Sequence, residues 1–154
     1  MDREEVEDLL YGETVCRIAF SGIENPYIAP FQYAYLNGVL YFHFTNNGLK
    51  MKFLDQNPKV CVEIERLEPN LRDFRFVCLK GILKLVDDAE ERIRAINQIR
   101  EDGKRDLSPA FLAAHGINPK EGWNSLTAEK PFIIVKLSNI TDVTGLKAPG
   151  HEGR

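Results

Sequence analysis

The chain has 154 residues, of which 44% are hydrophobic and 28% are charged, and its formal net charge is −3. This length and composition fit one globular domain, and the negative charge argues against a protein built to coat nucleic acid. No segment approaches the roughly 20 consecutive apolar residues that a membrane span requires. The three cysteines are widely spaced, without a C-x-x-C motif, which indicates reduced thiols and a cytoplasmic location.

The first part of the chain predicts one short helix followed by strands. Asp2 and Glu5 have the spacing of a capping box, so residues 2–11 are expected to be helical. Runs rich in β-branched and aromatic residues then predict strands. Asn37 and Gly38 separate two of these runs, and both tolerate the positive φ angles of a tight hairpin turn. The strands predicted here are 15–20, 27–35 and 39–45.

The second part of the chain mixes strands with helices. Apolar spacing predicts a helix that stops before Pro58, because the residue preceding proline avoids helical angles. Gly81 interrupts a long strand and predicts a bulge or bend there. The predicted helices are 48–56, 87 to about 103, and 108–116, and the predicted strands are 59–65, 74–86 and 132–143.

About six strands with short helices between them predict a mainly β fold. The connections are a tight turn and excursions too short for a series of parallel crossovers. We therefore expect a six-stranded antiparallel barrel with peripheral helices, because closure removes exposed strand edges. One domain is expected over 1–146. The polar chain from Thr144 onward should be loosely ordered, with a flexible tail over 147–154.

The segment 39–52 contains the main candidate for a binding site. The chain turns at Asn46 into a helix whose first turn carries Lys50 and Lys52. A helix start has unpaired N–H groups and a partial positive charge, so two lysines there favour a bound phosphate. From these residues alone, a capped surface helix with solvated lysines has equal weight. Alternation places Tyr41, His43 and Thr45 on one face of the preceding strand and Leu40, Phe42 and Phe44 on the other.

The order of several motifs carries a family resemblance. They are F-Q-Y-x-Y, N-G, L-Y-F-H-F-T-N, G-x-K, N-P-x-V-x-V and F-x-F-V-x-L-x-G-x-L-x-x-V-D-D. Together they resemble the flavin mononucleotide (FMN)-binding split barrels related to pyridoxamine 5′-phosphate oxidase. Within that superfamily the chain is most similar to the branch of the nitroimidazole-resistance flavoproteins. The resemblance extends from about Val15 to Gly145.

The resemblance implies a homodimer of FMN-binding split barrels, with two FMN sites in clefts between subunits. It also implies an oxidoreductase acting on a small aromatic or nitro-aromatic substrate, with NAD(P)H as a possible electron donor. Two alternatives stay open. One is a non-enzymatic binding or sensor protein that holds a flavin, a deazaflavin or haem on the same barrel. The other is a barrel that has lost its cofactor and persists as a dimer.

The resemblance also assigns roles to particular residues. The strand 28–33 would lie along the flavin ring, with Pro30 and Phe31 at its centre, and Lys50 would be the basic residue that holds the phosphate. His43 would lie near the ribityl chain or the ring edge and either donate a hydrogen bond or control protonation of a substrate, which makes it the candidate catalytic residue. The implied cofactor contacts are Ile28, Pro30, Phe31, Gln32, His43, Phe44, Thr45, Asn46, Lys50, Lys52 and Arg75.

The chain departs from the oxidase pattern at two places. Leu49 occupies the position of an arginine that precedes the helix-start lysine of the oxidase. The C-terminal basic substrate motif of the oxidase also has no counterpart, which argues against oxidation of vitamin B6 compounds as the activity.

Other chemically interesting residues have structural interpretations. The histidines show no zinc-site spacing, and His115, before a glycine, is expected to be a helix C-terminal partner. Cys61 and Cys78 lie in apolar strands and are expected to be buried and inert. Trp123 is expected to pack against the barrel rather than to cover a flavin.

Overall fold

The computed structural model describes residues 1–22, 24–45 and 49–149, and for Leu49 and Lys50 it describes the backbone alone. Within these ranges the chain forms six strands, three α-helices and three 3₁₀ helices. The strands are β1 (Val15–Phe20), β2 (Tyr27–Leu36), β3 (Val39–Phe44), β4 (Lys59–Leu67), β5 (Phe74–Leu85) and β6 (Ile133–Lys147). The α-helices are α1 (Arg3–Gly12), α2 (Leu49–Gln56) and α3 (Ala89–Asp106), and the 3₁₀ helices are Pro109–His115, Pro119–Glu121 and Trp123–Ser125.

The strands close into an antiparallel barrel in the order β1-β2-β3-β6-β5-β4, which confirms the predicted fold class. The barrel interior is apolar and rich in aromatic rings. The predicted alternation of β3 is confirmed, because Phe42 and Phe44 lie inside the barrel and Tyr41 packs with the helix layer outside it. Burial of such rings removes large apolar areas from water and dominates the stability of a core.

Two local signals in the first part of the chain are confirmed. The side chain of Asp2 accepts a hydrogen bond from the Glu5 N–H, and the Glu5 carboxylate accepts one from the Asp2 N–H. In the β2–β3 turn, φ is 51° at Asn37 and 79° at Gly38. Both angles are positive, as a tight turn of type I′ requires.

The β5–β6 pair contains the predicted bulge and extends further than expected. The register shifts between Lys80 and Ile82, and a Cβ at Gly81 would lie 2.8 Å from the backbone oxygen of Ser138. β6 continues to Lys147, and its residues 142–147 pair with residues 75–80 of β5. The prediction of a loose tail from Thr144 is therefore wrong for the first residues of that segment, because ladder hydrogen bonds to β5 hold them.

A second layer covers one flank of the barrel. The apolar stripe of α3, which includes Ile96 and Ile99, packs with Tyr41 and with Ile134 of β6. The helix extends beyond Gly103, where sequence reasoning ended it. Gly103 does not end the helix; because it has no side chain, the ring of Trp123 can pack beside it. A Cβ there would lie 2.4 Å from the ring of Trp123.

The segment after α3 is only partly as predicted. The predicted third helix forms, but as the 3₁₀ helix Pro109–His115, and it ends at Gly116 with φ of 71°, as its sequence indicated. Trp123 is 6% exposed and donates a hydrogen bond from Nε1 to the Leu107 carbonyl at 3.3 Å. It belongs to the apolar layer that packs on the outside of the barrel, which confirms the prediction that it packs against the barrel. In the part of the chain that is described, no helix combines the length and the apolar character needed to cross a membrane.

Candidate functional site

Strands β2 and β3 diverge at the level of the predicted site. Their pairing runs from Leu36↔Val39, beside the turn, to Tyr33↔Phe42. Beyond that level, residues 27–32 of β2 pair with β1, whereas His43 and Phe44 pair with β6. The barrel is therefore split between the first half of β2 and the end of β3.

The predicted flavin-binding strand presents two faces at this split. Ile28 is 62% exposed and Pro30 is also exposed, so both side chains lie on the outside of the barrel. Phe31 points into the core, where its ring centroid lies 5.1 Å from that of Phe44. Sequence reasoning placed Pro30 and Phe31 together against a flavin ring, but alternation puts their side chains on opposite faces. Phe31 and Phe44 can offer only backbone atoms to a ligand outside the barrel.

A chain of hydrogen bonds connects β3, the 3₁₀ helix Pro109–His115, β2 and α3. Nδ1 of His43 lies 2.9 Å from Nδ1 of His115, and Nε2 of His115 lies 2.7 Å from Oε1 of Gln32. Gln32 in turn donates from Nε2 to the carbonyl oxygen of Ile99 at 2.7 Å. All three polar side chains are buried, with exposures of 3% to 7%. Gln32, a predicted cofactor contact, thus has both ends of its amide engaged inside the protein.

The sequence did not predict the place of His115 in this chain of hydrogen bonds. It lies 72 positions from His43, and the glycine after it suggested only a partner for the end of a helix. The contact between His115 and His43 depends on how the segment after α3 packs onto the barrel, and no sequence motif predicts that packing. The available signal was weak: His115 follows the apolar Leu112 at the spacing of one helical turn.

A cavity of about 290 Å³ opens beside the two histidines. Both line it, together with Thr45 at the end of β3. The ring of Phe132 meets the His43 ring edge-on, with centroids 4.7 Å apart. Lys130, which also lines the cavity, forms an ion pair with Glu121 at 3.2 Å. The cavity thus adjoins the strand end that leads into the predicted phosphate turn.

Most of the predicted phosphate corner lies outside the described residues. This applies to Asn46 and to the side chain of Lys50. Within the described part, Lys52 is exposed on α2. Phe53 of the same helix packs on the rings of Phe20 and Tyr27, with centroid distances of 5.8 Å and 5.3 Å. These contacts anchor α2 against one end of the barrel.

Arg75 lies elsewhere on the barrel. It pairs in register with Arg66 and Lys147, and its guanidinium forms an ion pair with Asp8 at 3.1 Å. The residue of β5 that pairs with the start of β4, just after α2, is Ile82. Seven residues of strand separate the two positions, which is roughly 23 Å. Within one chain, the predicted cofactor contact Arg75 is therefore not brought to the corner at 43–52.

Glu91 links α3 to the barrel near this site. Its carboxylate accepts hydrogen bonds from the Tyr41 hydroxyl at 2.8 Å and from Nζ of Lys136 at 2.7 Å. The Lys136 ammonium lowers the pKa of Glu91 below its ordinary value of 4.5. Burial, together with the adjacent carboxylate, raises the pKa of Tyr41 to about 12. The cluster holds α3 against β3 and β6.

The cysteines differ from expectation in their burial. Cys16 is 2% exposed inside the barrel, and burial raises the pKa of its thiol. Cys61 and Cys78, predicted to be buried, are only half-buried, since both lie on the outer face of neighbouring strands. Burial raises the pKa of Cys78, and the nearby Cys61 adds to that effect. Among the described residues, no group of three or more His, Cys, Asp or Glu side chains could hold a metal ion.

Comparisons with known proteins agree with this fold. A family model described as pyridoxamine 5′-phosphate oxidase matches residues 2–118. Uncharacterized protein RA0666 of Rhizobium meliloti (strain 1021) is 32% identical over 145 residues, which cover 92% of this chain and 91% of that protein. The crystal structure of an FAD-binding protein from Mesorhizobium loti is similar with a TM-score of 0.70 at 20% identity, covering 97% of this chain and 96% of its own. A NimC/NimA family protein from Clostridium acetobutylicum has a TM-score of 0.59 at 17% identity, covering 94% of this chain and 85% of its own.

Proposed function

The chain belongs to the pyridoxamine 5′-phosphate oxidase family, and from this premise we propose that it is a flavin-binding oxidoreductase whose cofactor is FMN. The observation that carries the proposal is the split between β2 and β3. It leaves Ile28 and Pro30 exposed on one side, while His43 and Thr45 line a cavity on the other. An exposed apolar strand face beside a small number of polar groups suits a flat aromatic ring with a polar tail.

The proposed roles follow from these positions. The flavin ring lies against Ile28 and Pro30 on the outside of β2. The phosphate lies at the start of α2, held by helix N–H groups and by the Lys50 ammonium, with further donors from Thr45, Asn46 and Lys52. A bound flavin supplies the electron and hydride chemistry, while the protein positions it. His43 exchanges a proton with the substrate at the cavity.

The choice among cofactors rests on chemistry at the same site. A structural neighbour is described as FAD-binding, and FAD shares its ring and first phosphate with FMN. FMN is preferred over haem because the proposed site ends at a helix start, which suits a phosphate group, and FMN and FAD are separated by titrating each in turn.

The proposal includes a homodimer, as the resemblance implies. Large apolar side chains remain exposed on both faces of the second half of β6, with exposures of 45% to 62%. Exposed apolar area of this kind is covered when a second protein packs against it. A molar mass of two chains in light scattering supports this part of the proposal, and a mass of one chain contradicts it. The exposed residues are Ile140, Val143 and Leu146.

The position of the ring is tested with two matched isoleucine variants. Ile28→Glu places a charge where the ring would lie, whereas Ile93→Glu places the same charge on α3 at a residue of 44% exposure. In fluorescence titrations with FMN, we expect Ile28→Glu to weaken binding at least tenfold and Ile93→Glu to leave it unchanged. Equal affinities for the two variants would contradict this placement.

Catalysis is separated from simple binding by an anaerobic experiment. The flavin-loaded protein is mixed with NADH or NADPH, and reduction is followed by loss of the flavin absorption bands. A nitro-aromatic compound or a quinone is then added. Reduction followed by reoxidation supports an oxidoreductase, whereas failure of every donor and acceptor pair would favour a binding or sensor protein.

A further inference from the structure

Two cysteines lie on the outer face of neighbouring strands, which is an unusual place for this residue type. In β4, Cys61 stands between Val60 and Val62, whose side chains are buried inside the barrel, so alternation turns its own side chain outward. Cys78 of β5 is turned outward in the same way, and both cysteines are half-buried. Free cysteine is among the residue types most often fully buried. Packing of the barrel core therefore does not explain this pair.

The register of β4 and β5 makes the two cysteines diagonal neighbours. Cys61 pairs with Lys80. Cys78 pairs with Glu63, so the cysteines are offset by two residues on the same face. Diagonal neighbours have their Cα atoms roughly 7–8 Å apart, and their side chains still interact. Burial raises the pKa of Cys78 most, and the charge and hydrogen bonding of the Cys61 side chain raise it further. The two thiols therefore lie beside each other.

This separation decides between two kinds of bridge. A disulfide joins cysteines whose Cα atoms are about 4.4–6.8 Å apart, because its S–S bond is only about 2 Å long. A bond from a thiolate to a metal ion is about 2.3 Å long, as for zinc, so two sulfurs bound to one ion stand up to about 4.6 Å apart. The longer bridge fits a diagonal pair in place, whereas a disulfide requires the strands to move.

The number of ligands selects the class of ion. A structural zinc site requires four ligands, and the described part of the chain contains no group of three or more His, Cys, Asp or Glu side chains that could hold a metal ion. Soft ions such as Cu(I) favour thiolate sulfur, and a monovalent ion of this class accepts two thiolates in a linear arrangement. Two adjacent thiols therefore suit Cu(I) rather than zinc.

An ion can reach this pair from solvent. Cys61 lines a cavity of about 490 Å³ on the outside of the barrel. Its neighbour on β1, Ala19, lines the same cavity, and the small alanine side chain leaves room beside the sulfur. The cavity thus supplies the entry path that a metal site requires.

The charges around the pair suit a bridged ion. Binding of one monovalent ion to two thiols releases two protons and leaves one net negative charge. Lys80 lies directly opposite Cys61, and its ammonium, which also forms an ion pair with Asp142 at 3.0 Å, favours a thiolate nearby. Opposite Cys78, the carboxylate of Glu63 is paired with a guanidinium on β1 at 3.1 Å.

We propose that Cys61 and Cys78 form a two-coordinate site for a soft monovalent metal ion, with Cu(I) as the ion that suits it best. The ion is bridged between β4 and β5 on the outside of the barrel. The site shares no residue with the proposed flavin site and does not depend on the proposed function.

An anaerobic titration with Cu(I) measures the site directly. The reduced protein competes with a coloured Cu(I) chelator, and loss of the chelator colour gives the stoichiometry and the Kd. We expect one ion per chain. Cys61→Ser and Cys78→Ser should each weaken binding about 100-fold or more, because loss of even an outer partner of a metal ligand costs about 10- to 100-fold. Cys16→Ala, which removes only the thiol inside the barrel, is the control and should bind normally. Full affinity in either serine variant would overturn the proposal.

A labelling experiment on the unmodified chain makes the test independent of how the variants fold. Without metal, iodoacetamide should alkylate Cys61 and Cys78 in the native protein, and mass spectrometry of peptides identifies the positions. One equivalent of Cu(I) should protect both cysteines together. Alkylation of either one in the presence of the ion would overturn the proposal. A Cys61–Cys78 disulfide formed in oxidised glutathione would also overturn it, because the sulfurs would then lie closer than the register indicates. No step requires flavin, so failure here is distinguishable from failure of the proposed function.

Discussion

Nδ1 of His43 lies 2.9 Å from Nδ1 of His115, although 72 positions separate the two residues in the chain. One histidine is part of the barrel wall, and the other ends a 3₁₀ helix that is packed over it. The contact shows that the segment after α3 is a wall of the candidate site. Changes in that segment should therefore affect the chemistry at His43.

Replacement of Lys50 tests the phosphate position predicted from the sequence. Loss of a charge-assisted contact to phosphate in Lys50→Ala should weaken FMN binding by roughly 1–3 kcal/mol, or about 5- to 150-fold in Kd. Lys84→Ala, at an exposed position of β5, is the control and should bind normally. Titrations at constant salt measure both variants, and an unchanged Kd for Lys50→Ala would mean that the phosphate lies elsewhere.

Gly103→Ala should destabilise the protein even though alanine is the better helix former. A Cβ at this position would lie 2.4 Å to 2.6 Å from atoms of the Trp123 ring. The clash should outweigh the helix gain of about 1 kcal/mol and leave a net loss of roughly 1–3 kcal/mol. Urea unfolding measures the change, with the exposed neighbour Lys104→Ala as a control. A stabilised Gly103→Ala protein would show that the ring moves aside freely.

Glu91 should make part of the stability depend on pH. Its pKa is lower in the folded protein than in the unfolded chain, so its contribution is present above pH 4.5 and is lost as the pH falls through the folded pKa. At pH 7, Glu91→Gln should lose roughly 1 kcal/mol. The difference from the unmodified protein should shrink below pH 4.5. Glu90→Gln, whose side chain is 88% exposed, is the control for urea unfolding at each pH. A difference that stays constant down to pH 3 would contradict this role.

The thiols should fall into two classes of reactivity. Cys16 is 2% exposed and its thiol pKa is raised by burial, so it should resist an aromatic disulfide reagent in the native state. The half-buried Cys61 and Cys78 should be modified. A protein with both of these replaced by serine should react only after unfolding in urea. Rapid labelling of that variant under native conditions would mean that the barrel opens easily.

The sequence predicted the elements whose signals are local. The hairpin turn at Asn37, the capping box at Asp2 and the bulge at Gly81 each depend on residues within a few positions, and all are confirmed. The barrel followed from strand number and short connections. Where a local signal competed with packing, packing prevailed: Gly103 did not end α3, because Trp123 occupies the space beside it.

The site was less predictable than the fold. His43 was identified from the motif that contains it, but its contact with His115, which in turn contacts Gln32, depends on how the 3₁₀ helix Pro109–His115 packs onto the barrel. Strand alternation also places the side chains of Pro30 and Phe31 on opposite faces of β2, whereas the prediction from the motif placed both residues against the flavin ring. The two faces of β2 could be predicted from the period-two alternation of its residues. No sequence signal predicted that His115, 72 positions away, would contact His43.

The most direct test of the central claim is the amount of flavin bound per chain. Purified protein is saturated with FMN, separated from unbound FMN by gel filtration, and its absorption spectrum is recorded. The account predicts close to one FMN per chain, with quenched flavin fluorescence, and loss of that flavin in Ile28→Glu but not in Ile93→Glu. Elution of all FMN apart from the protein would contradict the account.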